Sequence, residues 1–263
     1  MSRVEVLVAC MHKKDDTLYS EMNLQTDAVL ANQADEYSYT EYKEKNGCTA
    51  KLVTTADRGV GKNRNKALLV ASGEYLVFAD EDMIYEPGYE DMVLDAFDKA
   101  KNADIIAFNL TYLNRFTPGR RPGKKFKRIH FWNSMRYGAA RIAIRRSALE
   151  RASLSFSHLY GGGAKYSSGE DSLFIREALR RGLKMYYCPV AIATVKQEES
   201  SWFRGYNDKF FTDKGVLIAN AFPILKGVLI YYFAFKMRKL SKDYNQRKIR
   251  RLMREGFRVF REL

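Results

Sequence analysis

The chain has 263 residues, a formal net charge of +14 at pH 7 and 46% hydrophobic residues, which describe a globular protein long enough to bury a sizeable core. Its three cysteines, Cys10, Cys48 and Cys188, are too few and too scattered for a disulfide framework or a paired-cysteine zinc site. They indicate a reduced, cytosolic setting. The N-terminal residues MSRVEVLVAC enter an apolar strand almost at once, so we expect no secretory signal.

The positive charge is concentrated in two segments. Residues 105–149 hold eleven Lys or Arg and no acid, and residues 236–263 hold eleven Lys or Arg and three acids. The rest of the chain therefore carries a net charge of −5. Basic patches of this kind imply an anionic partner: the phosphates of a ligand, a lipid surface or a nucleic acid.

The first hundred residues alternate strand and helix signals. Short, nearly continuous apolar runs predict four buried strands, at residues 4–10, 27–33, 50–55 and 74–79. Between the last two of these, residues 62–71 have helical character, and Gly73 marks the expected stop. This alternation predicts an α/β fold with a mainly parallel sheet, in which ligands bind beyond the carboxyl ends of the strands.

The second half of the chain is more mixed. The runs ADIIAFNLTYL and RIAIRR predict strands, and residues 171–181 predict a helix that is followed by another strand. The apolar segment 215–235 carries Pro223 and Lys226 near its middle, where a charge costs most for a membrane-spanning helix. From Ile249 to Phe260, apolar residues recur at three- and four-residue spacing among arginines. This pattern predicts an amphipathic basic helix suited to an anionic membrane interface.

Three consecutive acids end the fourth predicted strand. Asp80 and Asp82 alternate with Glu81, so on an extended segment the two aspartates project to the same side. Convergent carboxylates are suitable ligands for a hard divalent cation, which keeps its other positions for waters and substrate phosphates. Such a cation would neutralise a diphosphate and stabilise a departing nucleotide. The alternative is a solvated turn before Pro87 and Gly88.

The order VEVLVAC, RGVGKNRNKAL, GEYLVFADED and GEDSLF resembles family 2 glycosyltransferases of the GT-A fold, especially bacterial enzymes that build surface polysaccharides. The resemblance covers residues 3–215 and implies a Rossmann-like mixed sheet flanked by helices. It implies a glycosyltransferase domain at residues 1–214, with a nucleotide-sugar-binding half (1–104) and an acceptor-binding half (105–214). An apolar and basic helical segment, residues 215–263, would follow as a membrane-associating appendage.

The resemblance also implies roles for individual residues on the donor side. Asp82 would bind Mn²⁺ or Mg²⁺ together with Asp80, which also lies near the ribose. Many relatives carry a histidine near the metal, after the last sheet strand, where this chain has Val195, Lys196 and Gln197. This departure leaves the full coordination shell open. The remaining nucleotide-sugar-binding positions implied by the resemblance are Ala9, Met11, Asp35, Arg64 and Glu81.

A second acidic pair, Glu170 and Asp171, follows a glycine-rich loop and opens the predicted helix. Acids at a helix N-terminus have a purely electrostatic explanation, worth about 0.3–1 kcal/mol. In the family that the chain resembles, one carboxylate of this motif is the general base, and we assign that role to Asp171. Glu170 would orient the acceptor or the loop. Trp202 is either a stacking wall for an acceptor sugar or a core residue.

The resemblance implies an inverting, metal-dependent glycosyltransferase. It would move a hexose or N-acetylhexosamine from a UDP-sugar to a lipid-linked glycan. We expect a cytoplasmic location, peripheral on the inner face of the cell membrane, and a homo-oligomer is possible. Nucleotidyl transfer to a sugar phosphate is an alternative, but the glycine-rich phosphate loop that it needs after the first strand is missing from ACMHKKDD. Nucleic-acid binding would leave both acidic pairs unexplained, so no nucleic-acid partner is expected.

Overall fold

A computed structural model describes residues 2–113, 123–196, 205–239 and 243–261. Within these ranges ten strands form one mixed sheet in the order β3-β4-β2-β1-β5-β9-β7-β10-β6, and β8 pairs with β10. The strands are β1 (Val4–Met11), β2 (Asp27–Gln33), β3 (Ser38–Lys43), β4 (Thr49–Thr55), β5 (Tyr75–Asp80), β6 (Met83–Tyr85), β7 (Ile105–Tyr112), β8 (Lys127–Ile129), β9 (Ile142–Arg145) and β10 (Met185–Val195).

Helices cover the sheet, and the last of them ends at Arg261. They are α1 (Thr17–Glu21), α2 (Val60–Val70), α3 (Tyr89–Lys99), α4 (Arg146–Arg151), α5 (Glu170–Arg180), α6 (Asp208–Ala221), α7 (Lys226–Met237) and α8 (Gln246–Arg261). Two 3₁₀ helices lie at Phe131–Arg136 and Ala139–Arg141.

The four strands predicted from apolar runs form the parallel part of the sheet. β1 pairs in parallel with β2 and β5, and β2 pairs in parallel with β4. Alternate residues of β1 enter two different cores: Val6 and Val8 pack on the side of α3, whereas Leu7 packs on the side of α2 and α5. Burial of both faces explains why these strands read as continuous apolar runs, and the predicted helix-flanked mixed sheet is confirmed.

The edge strand β3 was not predicted. Its sequence SYTEYK has exposed or half-buried side chains throughout, and it pairs antiparallel with β4. A strand of this kind is stabilised by its backbone ladder rather than by burial, so no apolar run marks it. The second half of the sheet is mixed because β9 runs antiparallel between β5 and β7, whereas β10 is parallel to β7.

The apolar segment 215–235 is interrupted near Pro223, as its sequence indicated: α6 ends at Ala221 and α7 begins at Lys226. The boundary proposed at residue 214 lies within α6. None of the helices in the described part of the chain combines the length and apolar character needed to cross a bilayer.

The predicted amphipathic helix is α8, but its apolar face does not lie open to a membrane. Ile249, Leu252 and Met253 are buried in a cluster with residues of α6 and α7. Two glycines allow the helices to approach closely: a Cβ at Gly215 would overlap the carbonyl of Met253, and a Cβ at Gly256 would overlap a carbonyl of α6. Packing on α6 and α7 therefore removes these three side chains from water, and membrane association of the segment 215–263 stays a prediction.

Candidate active site

The site lies at the carboxyl ends of β1, β2 and β5. Ala9 is directly opposite Asp80 in the β1–β5 ladder, and Met11 is opposite Gln33 in the β1–β2 ladder. The buried amide of Asn63 on α2 donates to the carbonyls of Ala31 (2.6 Å) and Cys10 (3.3 Å), which fixes α2 against these strand ends. The predicted nucleotide-binding backbone and the strand-end acids therefore share one edge of the sheet.

One guanidinium joins the two acidic motifs. Arg64 on α2 is 4% exposed and donates through Nη2 to Asp80 Oδ1 at 2.8 Å and through Nη1 to Asp171 Oδ1 at 2.5 Å. Glu170 Oε1 lies 3.5 Å from Nη1. Burial by itself lowers the pKa of Arg64, but the charges of these three carboxylates raise it above its ordinary value. The Arg64 cluster, as we call these four residues, links positions 107 residues apart.

The two carboxylates at the start of α5 have different environments. The side chain of Glu170 is 12% exposed and accepts a hydrogen bond from the backbone N–H of Gly169 at 3.0 Å, whereas Asp171 is 26% exposed. Burial, and then the neighbouring charge of Asp171, raises the pKa of Glu170, while Arg64 acts in the opposite direction. A Cβ placed on Gly138 would lie 3.2 Å from Asp171 Oδ2, so the glycine leaves space beside that oxygen.

The other predicted donor-side acids lie outside this cluster. Glu81 pairs with Lys13 at 2.9 Å, and Lys13 is a cation that the sequence analysis did not single out. Asp35 lies beyond β2 with its side chain 88% exposed and pairs with Arg58. Arg58 also donates to the carbonyl of Ala34 at 2.6 Å, so this pair is anchored to the loop after β2.

The predicted metal ligand Asp82 lies beside the end of β10. The backbone N–H of Lys196 donates to the Asp82 carbonyl at 2.9 Å, and Met83 is opposite Val195. Lys196 is one of the three residues at which the sequence departs from the histidine that the resemblance implies. Among the described residues, no group of three or more His, Cys, Asp or Glu is arranged to hold a metal ion. Gln197 and the predicted acceptor residue Trp202 lie outside the described residues.

The loop before α5 is held by residues that sequence reasoning missed. Asp213 on α6 is 4% exposed, and its Oδ2 accepts from the Ser167 N–H at 2.9 Å. Lys214 Nζ donates to Ser168 Oγ at 2.9 Å, and burial lowers the pKa of this lysine. A possible signal was the DK pair inside the otherwise apolar segment FFTDKGVLIAN, since charged residues on the buried face of a helix need partners.

Residues 33–153 match the family described as Glycosyl transferase family 2, so the resemblance drawn from the motifs is confirmed. No curated protein gives a significant match to the sequence. Similar solved structures include S. aureus TarS 1–349 in complex with UDP-GlcNAc, with TM-score 0.65 and 17% identity over 92% of this chain and 74% of that chain. TarS 1–349 in complex with UDP gives TM-score 0.63 and 16% identity over 92% and 73%.

The longer S. aureus TarS structure is similar over 92% of this chain but 44% of its own length, with TM-score 0.62 and 17% identity. Likeness at these identities establishes the fold alone. The mixed sheet with flanking helices is the GT-A fold, as the sequence predicted.

Proposed function

Since residues 33–153 match glycosyl transferase family 2 on a GT-A fold, we propose that this chain is an inverting glycosyltransferase that uses a UDP-sugar. It moves a hexose or N-acetylhexosamine to a lipid-linked glycan acceptor in bacterial surface polysaccharide synthesis. The observation that carries this proposal is the Arg64 cluster, which brings the strand-end acid Asp80 and the pair Glu170–Asp171 to one place. A donor diphosphate and a general base have to be neighbours in such a reaction.

On the donor side, the β1 end from Ala9 to Met11 contacts the nucleotide, and Asp35 contacts the base. Asp80 and Glu81 lie toward the ribose and diphosphate. The ligands in the similar TarS structures, UDP-GlcNAc and UDP, support a uridine nucleotide as the donor. Because carboxylates repel phosphates, binding of the diphosphate here requires a cation.

Asp82, together with Asp80, would hold Mn²⁺ or Mg²⁺. The donor set fits such an ion, since Mg²⁺ is commonly bound by one or two carboxylates, with waters and substrate phosphates completing its shell. No third side chain is arranged for this among the residues that the structure describes. When bound, the ion neutralises the diphosphate and so stabilises the departing UDP.

On the acceptor side, Asp171 takes the proton of the attacking hydroxyl. Arg64 engages Oδ1 of this carboxylate, and Gly138 leaves room beside Oδ2 for the acceptor. The acceptor oxygen forms a bond to the anomeric carbon as the bond to UDP breaks on the opposite face, which inverts the configuration. Glu170 orients the loop through its bond to the Gly169 backbone. General base catalysis of this type contributes ~10²–10⁴-fold.

The acceptor half carries positive charge at β8, which pairs with the first residues of β10. Two lysines, Lys124 and Lys125, precede β8, and the strand itself contains Lys127 and Arg128. Their positive charge suits a lipid-linked diphosphate acceptor at the inner face of the cell membrane. Trp202 is proposed as an acceptor contact on sequence grounds alone.

A thermal-shift series with UDP, GDP, CMP and dTDP, each with and without Mn²⁺, tests the donor site. A ligand at about 100 times its dissociation constant stabilises a fold by ~2.7 kcal/mol, which is readily visible as a shift. We expect UDP with Mn²⁺ to stabilise the wild type and Asp82→Ala to lose this stabilisation. Asp95→Ala, an exposed acid on α3, is the matched control and should behave as the wild type. If no nucleotide shifts the wild type with or without metal, the donor-site proposal fails.

A further inference from the structure

Helix α7 presents an apolar stripe to solvent. Ile224, just before the helix, is 94% exposed, Val228 is 71% exposed, Tyr232 is 56% exposed and Phe235 is 55% exposed. The spacing of Val228, Tyr232 and Phe235 places these three on one side of the helix, and Ile224 precedes its first turn. The opposite side of α7, including Ile230, is buried in the cluster with α6 and α8. The helix is thus apolar on both sides, and its packing within the described chain accounts for one of them.

A basic stripe on α8 borders this apolar stripe. Seven of the sixteen residues of α8 are Lys or Arg, and one is acidic. Tyr231 marks the boundary: Arg254 Nη2 donates to its hydroxyl at 3.1 Å, and the Arg250 guanidinium lies 5.1 Å from its ring centroid. The arginines that line one open cleft here, together with Glu255, are Arg247, Arg250, Arg251, Arg254 and Arg258.

We propose that this α7–α8 surface docks on an anionic lipid bilayer. The α7 stripe lies in the boundary between headgroups and acyl chains, and the α8 arginines bind lipid phosphates. A second copy of the chain fits less well, because an isologous interface would bring two arginine stripes of the same sign together. A nucleic acid would pair with the arginines but leave exposed apolar side chains such as Ile224 and Val228 uncovered. The membrane contact is therefore made by α7, not by the apolar face of α8.

Sedimentation of the full chain with phosphatidylcholine vesicles, with and without phosphatidylglycerol, tests this surface. We expect binding only when phosphatidylglycerol is present, and weaker binding as salt rises. Val228→Asp and, separately, Ile224→Asp should reduce vesicle binding by about tenfold or more, since each puts a carboxylate into the apolar stripe. Leu69→Asp, at a site on α2 that is 79% exposed, is the matched control and should bind as the wild type.

The basic stripe has its own test. The double variant Arg247→Gln with Arg258→Gln should weaken binding to phosphatidylglycerol vesicles by about tenfold or more. Lys45→Gln with Lys101→Gln removes the same charge from exposed sites elsewhere and should have little effect. Equal binding of all variants, or no binding of the wild type, would overturn the proposal. So would a wild-type dimer that Val228→Asp makes monomeric without any vesicle binding. UDP thermal shifts on the same variants report on the donor site separately.

A different observation carries a second inference, which rests on the proposed function. Helix α6 holds the loop that leads to Glu170 and Asp171. In addition to the contacts of Asp213 and Lys214, Asn220 donates to the hydroxyl of Tyr160 at 3.2 Å. A Cβ on Gly169 would overlap the side chain of Leu217. Gly169 has φ +125° and lies where the chain turns into α5. The close approach of Leu217 shows that α6 packs against this turn.

We infer that Asp213 is a positioning residue for the acidic pair. Asp213→Ala removes the acceptor of the Ser167 N–H and should lower kcat for UDP release from UDP-GlcNAc, UDP-glucose or UDP-galactose by ~10–100-fold, with little change in donor KM. Asp213→Asn, which keeps an acceptor oxygen, should restore much of the rate. Asp208→Ala is the matched control, because this exposed acid on α6 contacts Tyr244 and Lys248 instead.

Hydrogen exchange distinguishes this inference from the proposed function itself. In Asp213→Ala the amides of residues 160–169 should exchange faster than in the wild type, whether or not a UDP-sugar is turned over. Unchanged exchange in this loop, or a loss of donor binding equal to the loss of kcat, would overturn the positioning role. If the wild type turns over no UDP-sugar, but Asp213→Ala still exchanges faster than the wild type in this loop, the result counts against the glycosyltransferase proposal alone.

Discussion

Asp171→Asn should strongly reduce sugar transfer and leave UDP binding almost unchanged. The amide cannot accept the acceptor hydroxyl's proton, so we expect a fall of ~10²–10⁴-fold in kcat. Arg64 can still contact the amide oxygen, so the shape of the site is largely kept. The measurement is UDP release from the active UDP-sugar, with binding followed by the UDP thermal shift. Glu177→Gln, farther along α5 where Glu177 pairs with Arg180 and Arg181, is the control and should retain the wild-type rate.

Glu170→Gln separates the roles of the two carboxylates. If Glu170 only orients the loop, its variant should keep a larger share of kcat than Asp171→Asn. The reverse order, with Glu170→Gln inactive and Asp171→Asn active, would transfer the base assignment to Glu170. Its burial and raised pKa give that outcome a physical basis, because a carboxyl with a raised pKa is a stronger base once ionised.

Arg64→Met should both destabilise the fold and inactivate the site. The substitution leaves three carboxylates without their shared cation. Removing one partner of a buried charge network costs ~3–5 kcal/mol, and we expect the lower end because Asp80 and Asp171 are partly exposed. Urea unfolding of the variant and the wild type measures this loss. Arg64→Lys keeps the charge but not the two-sided fork, so it should recover part of the stability and little of the activity.

The loss of folding stability caused by Arg64→Met should depend on pH. Burial and the charge of Asp171 already raise the pKa of Glu170, and losing Arg64 raises it further. A carboxyl with a raised folded-state pKa binds more protons in the native state, so its stability contribution falls as pH rises. The difference in unfolding free energy between variant and wild type should therefore be larger at about pH 8 than at about pH 5. A pH-independent difference, or an unchanged urea midpoint, would contradict the role of the Arg64 cluster.

Much of the fold was predictable because its signals are local. The strands β1, β2, β4 and β5 are buried on both faces of the sheet, and such burial requires a run of apolar residues that can be recognised in the sequence. Helix α5 was placed within one residue for a similar reason, since it alternates buried and solvated sides. The polar strand β3 has no such run, and Pro223 divided the apolar segment into α6 and α7, which hydropathy alone could not do.

By itself, the sequence determined the central strands, the acids at the end of β5 and the pair that opens α5, because each depends on residues close together in the chain. The tertiary structure alone decided which charges meet. Arg64 contacts Asp80, 16 residues away, and Asp171, 107 residues away, while Asp213 reaches Ser167 across 46 residues. It also decided that α6 covers the apolar side of α8 and that one side of α7 is left exposed to solvent. Such contacts depend on how distant elements pack, and the local sequence of one segment does not identify the segment against which it packs.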